Sequence, residues 1–308
     1  MENKDQDIRD ADLILIDGKH SLYRGVYAQS KGSPLGVNKK DGTFLMTGAV
    51  HYFMTSAVAL RKKAKDAAVF VCWEGGKKHR LAIVPEYKGN RRSDARSEEM
   101  HEIAQHQLKL LRGLLKTTAW DQVKAPEWEA DDAIATIAER AWEMRRNVLI
   151  FSGDADLFQC LREGDTWVRQ YAVKPNGAHH VYTVRTLKET LGIEPWQVAH
   201  MKGLAGDSSD NYKGAPGVGE KYAAKWLAAY KTVEGVIAAC ESGELTGKKA
   251  EAVVEHQEYI RDCFEIAVAQ NDLEIEIVHR GLQERARLER ALRALRFHVL
   301  ASDIARLL

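Results

Sequence analysis

Short apolar runs that end in a carboxylate constrain this chain more than anything else in it. The run Leu13-Ile-Leu-Ile ends in Asp17-Gly18, residues 67–73 run into Glu74-Gly75-Gly76, and residues 147–152 run into Gly153-Asp154-Ala155-Asp156. Each has the length and apolar content of a buried strand that stops where the chain turns polar. Between and after them lie stretches with helical spacing, at 45–65, at 98–116, and from a start at Glu127-Trp-Glu129-Ala-Asp131-Asp132. In the last, Ile134, Ile137, Ala138 and Ala141 recur on one helical face. Strand and helix in alternation predict βαβ units, hence an α/β fold with a mostly parallel central sheet flanked by helices.

Beyond about residue 183 the pattern becomes helix after helix, at 195–204, 220–230, 248–270 and 282–308, with a short strand at 273–278. A Gly- and Asp-rich stretch at 206–219 separates two of them. The expected organisation is a sheet core over 1–183 and an α-rich subdomain over 184–308.

Composition excludes several classes. No apolar stretch reaches the eighteen residues of a membrane span. The N-terminus, MENKDQDIRDAD, has no apolar signal core, so secretion is not expected. Cys72, Cys160, Cys240 and Cys263 are far apart and form no CxxC pair, which points away from a zinc knuckle or disulfide framework and toward a reducing cytoplasm. Net charge is only +1, but its distribution is uneven. Lys77, Lys78, Arg80, Lys88, Arg91, Arg92 and Arg96 face only Glu86 and Asp94 in the same stretch, a basic band beside tight acidic clusters.

Ligands of open parallel sheets collect at the carboxyl ends of the strands. Asp17, Glu74, Asp154 and Asp156 are expected there, and Glu129, Asp131 and Asp132 at a helix start reach the same rim. Asp207 and Asp210 lie in a loop able to close over it. Taken singly, an acidic first turn is ordinary helix capping and an Asp after a strand is an ordinary turn residue. Together they are too many anions to stay ionised without cations. Oxygen donors select hard divalent ions, magnesium first. Two such ions roughly 4 Å apart activate water against a phosphodiester and stabilise the leaving oxygen.

At these residues the chain resembles the bacteriophage-type 5′→3′ exonuclease/flap endonuclease family, and is similar to the 5′-nuclease domain of bacterial DNA polymerase I. The matching stretches are LILIDGKHSLYR, PEYKGNRR, EWEADDAIATIA, FSGDADLFQCL and GLAGDSSDNYKGAPGVGEKYAAKWL, in family order from residue 13 to about 227. The resemblance implies a PIN-like core, a helical arch at about 77–115 and a helix-hairpin-helix-type element at about 206–230. It implies metal ligation by Asp17, Glu129, Asp131, Asp132, Asp154, Asp156, Asp207 and Asp210, with Mg2+ (two or more ions) as cofactor and Mn2+ as a substitute. Glu74 departs: the family has Asp in an FDG-like pattern where this chain reads Trp73-Glu74-Gly75. Lys88 and Arg91 are implied as the cations at the scissile phosphate. Arg24, Arg80 and Arg92 are implied as further DNA contacts. Gly217, Gly219 and Lys221 would grip duplex backbone, with K+ at the hairpin.

The expectation is therefore a monomeric, free-standing nuclease in a bacterial or phage-infected cytoplasm. It would cut DNA at 5′ ends and flaps, and RNA primers in RNA/DNA hybrids, during replication or repair. A catalytically decayed junction-binding protein and a PIN-like ribonuclease are the rivals. Intact carboxylates speak against the first, and the GVGEK hairpin against the second.

Overall fold

In a computed structural model the described residues are 6–29, 35–38, 42–64, 66–173 and 178–307. A short helix α1 (Gln6–Arg9) leads into β1 (Leu13–Asp17), which is buried along its whole length. Helix α2 (Gly18–Gln29) leaves the strand without a loop. Only glycine fits at that corner, since a Cβ on Gly18 would stand 2.5 Å from the Trp73 ring. A small antiparallel pair follows, β2 (Gly36–Asn38) with β3 (Phe44–Met46), and then α3 (Gly48–Lys63). The helix expected from residue 45 thus starts three residues later, because Phe44–Met46 pairs as a strand.

β4 (Ala68–Trp73) is followed by the short α4 (Lys78–Ile83), a 3-10 turn at Gly89–Arg92, and α5 (Ala95–Leu115). Asp94 caps α5 by accepting from the Ser97 amide. Then come β5 (Asp121–Lys124), α6 (Ala130–Glu143), β6 (Val148–Phe151), a 3-10 turn at Ala155–Cys160, β7 (Val168–Val173) and β8 (His179–Tyr182). The helical half comprises α7 (Val184–Leu191), α8 (Val198–Ala205), α9 (Glu220–Tyr230), α10 (Val233–Glu241), α11 (Lys248–Glu255) and α12 (Gln257–Ala267). The chain ends through β9 (Glu276–His279), α13 (Arg285–Ala294) and α14 (His298–Leu307). The two long helices expected at 248–270 and 282–308 are each broken in two. His256 leaves helical geometry in the first, and Arg296 takes a left-handed φ of 62° between α13 and α14.

The main sheet has the order β8-β7-β6-β1-β4-β5-β9. The five inner strands run parallel, and β8 and β9 are antiparallel edges. β1 divides two layers: Ile14 and Ile16 face α3, α5, α13 and α14, whereas Leu13 and Leu15 face α6. The helices α7 to α11 gather a core of their own around Leu187, Leu204, Trp226 and Val236, joined by Ile260 and Phe264 of α12. The tail does not stay with them. Leu288, Leu292, Leu300 and Ile304 share a core with Phe53 and Leu115, so the last two helices seal one face of the sheet.

Candidate active site

Because β1, β4 and β6 are parallel neighbours, their carboxyl ends share one edge, which brings Asp17, Glu74 and Asp154 together. The first turn of α6 adds Glu129, Asp131 and Asp132. Asp17 is buried and its Oδ1 accepts from the His20 amide at 2.9 Å, where α2 begins. Its Oδ2 accepts from the Ser152 hydroxyl at 3.1 Å, and that hydroxyl accepts in turn from the Asp154 amide at 3.1 Å. Gln170 of β7 donates to the carbonyls of Ser152 and Asp154 at 3.1 and 2.6 Å, fixing the loop that presents Asp154.

Burial pushes the Asp17 carboxyl up, His20 opposes it, and Glu74 and Asp154 push it further. Asp131 lies well above the usual carboxylate range, through burial first and then the charges of Asp154 and Asp17. Asp17, Asp131 and Asp154 thus form an anionic group that repels itself. They line a cleft of about 1070 Å³, with Glu74, Lys88 and Arg91 also on its wall and Tyr23, Tyr27 and His101 further along between α2 and α5.

The other carboxylates are matched by cations of the protein. Lys88 Nζ stands 2.7 Å from Glu129 and 3.4 Å from Asp210, and Arg91 donates to Asp210 at 2.7 Å. Burial raises the Glu129 carboxyl, but Lys88 and Arg80 outweigh it and hold it below its ordinary value. The Tyr87 hydroxyl lies between two acceptors, 2.7 Å from Glu129 and 3.0 Å from Asp210. Lys202 reaches from α8 to both Asp156 and Asp207. Asp207, also bonded by Ser209, sits at about 2 despite partial burial, while burial pushes Asp156 up to about 7 against the pull of Lys202.

The loop carrying Asp207 and Asp210 closes over the rim. The Lys88 amide donates to the Asp210 carbonyl at 2.8 Å, and Asn211 donates to the Glu86 carbonyl at 2.7 Å. Gly206 and Gly214, both at positive φ, let the two ends of this loop touch backbone to backbone. Gly217, Gly219 and Lys221 follow on its exposed far side, at the start of α9.

Two expected site residues are placed elsewhere. Arg80 is 5% exposed, so it is not a DNA contact. It donates to both oxygens of Asp132 at 2.6 and 2.8 Å and to the Ile266 and Val268 carbonyls at 2.7 and 3.1 Å. Asp132 has no exposure and also accepts from the amides of Glu129 and Gln270, so its oxygens are spent on the protein and not aimed at an ion. Arg24 lines the cleft beside Gly153 and donates to the Val173 carbonyl. The Arg92 side chain lies outside the described residues. Among the described residues, no three carboxylate, imidazole or thiolate groups converge closely enough to hold an ion as they stand. Lys88, Arg91 and Lys202 hold the second set of carboxylates instead. Tyr87, Ser152, Gln170 and Lys202 carry no sequence expectation. Lys202 left a signal: it is a lone cation among Val198, Ala199, Met201 and Leu204 on an otherwise buried helix.

The chain matches known proteins over nearly its whole length. Residues 12–192 fit the model of the 5′-3′ exonuclease N-terminal resolvase-like domain, and residues 193–290 that of the 5′-3′ exonuclease C-terminal SAM fold. The chain belongs to the 5′-3′ exonuclease family. A 5′-3′ exonuclease of Halalkalibacterium halodurans is 31% identical over 225 residues, 72% of this chain and 71% of that one. DNA polymerase I of Bacillus subtilis is 34% identical over 275 residues, covering 88% of this chain but only 29% of the polymerase. Among solved structures, bacteriophage T5 5′-exonuclease with bound zinc aligns with a TM-score of 0.67 at 20% identity, covering 96% of this chain and 97% of that one. The catalytic core of Rad2 in complex with DNA substrate aligns at 0.59 and 14% identity, covering 97% and 92%. These two show that the exonuclease family's fold is present throughout the chain.

Proposed function

We propose that this chain is a divalent-metal-dependent 5′→3′ exonuclease and flap endonuclease. It hydrolyses phosphodiesters of DNA, and of RNA primers in RNA/DNA hybrids, near 5′ ends and single-strand/duplex junctions. The observation that carries the proposal is the trio Asp17, Asp131 and Asp154 facing an open cleft, where burial first and then the Asp154 charge push the Asp17 and Asp131 carboxyls up. An all-oxygen set of this charge fits Mg2+, with Mn2+ as a substitute. Ions bound there would supply an activated water and a counter-charge for the leaving oxygen.

The chain's own groups do the rest. Ser152 and His20 orient Asp17, and Gln170 orients the Asp154 loop. Glu129 and Asp210 hold Lys88 and Arg91 at the cleft wall, where they meet the scissile phosphate. Asp156, Asp207 and Asp210 form a second set whose use requires Lys202 and Arg91 to be displaced. Arg24 contacts a neighbouring phosphate, and Gly217, Gly219 and Lys221 grip duplex backbone with K+ at the hairpin. We assign the core to residues 1–183 and the DNA-gripping unit to 184–308, with its tail packed back on the core. A monomer acting in replication or repair in a bacterial or phage-infected cytoplasm accords with this reading. Among the described residues no helix is long and apolar enough to cross a membrane.

A 5′-labelled flap duplex incubated with Mg2+ should be cut near the junction, and chelation should abolish cutting. Asp154→Asn should lose about three orders of magnitude in rate while still binding the duplex. Cleavage that persists in chelator, or full activity in Asp154→Asn, would refute the assignment.

A further inference from the structure

Glu74 stands where the family resemblance expects aspartate, and its surroundings explain how the longer side chain is accommodated. Its Oε1 lies 3.3 Å from Lys19 Nζ, and its Oε2 accepts from the Ala130 amide at 3.3 Å. Both carboxylate oxygens are therefore engaged, one by an ammonium and one by the first turn of α6. Lys19 comes from the first turn of α2, two residues after Asp17, where the helix dipole disfavours a cation. Glu74 is a counter-anion that offsets this placement. The extra methylene, roughly 1.5 Å of reach, lets the carboxylate meet Lys19. Both side chains line the cleft and are about one-third exposed, at 36% and 33%. Lys88, Arg91, Arg80 and Lys202 are each held by other carboxylates.

We propose that Lys19 and Glu74 act as one charge-compensated pair beside the Asp17–Asp131–Asp154 group, setting its affinity for a divalent ion from outside the ion's ligands. Glu74 is then a positioning residue that holds Lys19 and the α6 N-terminus, and Lys19 limits the negative field of the rim. The inference rests on the metal-dependent reading of the site. It adds that the rim of this chain carries one ligand fewer, and one cation more, than its carboxylate count suggests.

The test is direct Mn2+ binding to the full chain without DNA, followed by the electron paramagnetic resonance signal of free Mn2+. Lys19→Met, which leaves Glu74 uncompensated, should tighten binding about fivefold, and Glu74→Gln should weaken it about fivefold. The double variant, neutral at both positions, should return to within about twofold of the parent protein. Thermal denaturation of each variant checks that these partly exposed changes leave the fold intact. If Glu74 is a direct ligand, the double variant will instead stay more than about tenfold weaker than the parent, and Lys19→Met alone will change little. That result overturns the pair and leaves the metal-dependent site standing. A parent protein that binds no Mn2+ would overturn both.

Discussion

Arg80 lies in the most basic stretch of the chain, where the family resemblance implies a DNA-contacting arch. Its guanidinium is buried against Asp132, with Glu129 at 3.4 Å. A buried pair broken from one side leaves an uncompensated charge, so Arg80→Met should cost about 3–5 kcal/mol in urea unfolding. Arg91→Met, whose side chain is half-exposed, should cost less than about 1 kcal/mol by the same measurement. His200 offers a residue-scale check in pH. Burial holds its imidazole below the ordinary histidine value, Glu234 opposing, with the ring stacked on Phe264 at 4.3 Å and Nδ1 accepting from the Val233 amide. A base with a depressed folded pKa contributes nothing adverse while neutral, and protonation favours the unfolded chain. Stability should therefore decline as pH falls from 7 through the unfolded value of about 6.5. The urea midpoint of His200→Leu should fall less steeply between pH 7.5 and 5.5 than that of the parent; an equal slope would remove His200 from the account.

At the scale of elements, the loop between α8 and α9 depends on two glycines that the sequence shows only as part of a Gly-rich stretch. A Cβ on Gly214 would stand 2.3 Å from the Gly206 nitrogen and 2.6 Å from the Leu204 carbonyl oxygen, at a φ of +60°. Gly214→Ala should therefore open the loop that delivers Asp207 and Asp210, at a cost of about 3 kcal/mol in thermal unfolding. Gly217 also has positive φ, but nothing stands within 4 Å of its would-be Cβ. Gly217→Ala should cost only about 1 kcal/mol, the backbone strain alone. Equal effects would show that close approach is not what the loop requires. Helix α6 was legible because Ile134, Ile137, Ala138 and Ala141 mark one face and an acidic turn opens it. Strands β5 and β7 were not, because Asp121, Lys124, Arg169 and Gln170 interrupt their apolar character, and neighbouring strands supply their pairing.

For the whole molecule, the tail decides more than its sequence announces. Helices α13 and α14 bury Leu288, Leu292, Leu300 and Ile304 against the layer formed by α3 and α5. Removing residues 285–308 uncovers that layer, at roughly 1.5–3 kcal/mol for each large apolar side chain exposed. The shortened chain should lose cooperative thermal unfolding followed by circular dichroism; a sharp transition near the parent midpoint would show the tail to be an appendage. The strand-end carboxylates and a mostly parallel sheet are legible in the chain alone, and the order that sets β1 between β4 and β6 is not. Strand length, apolar content and a polar stop are local properties, and a parallel arrangement then brings Asp17, Glu74 and Asp154 to one edge. Only the tertiary structure decided which carboxylates keep an unbalanced charge. Arg80, Lys88 and Lys202 balance the charge of Asp132, Glu129 and the Asp156–Asp207 set, and most of these partners lie tens of residues away in sequence. Ion pairing depends on side-chain reach in three dimensions, which no spacing along the chain records.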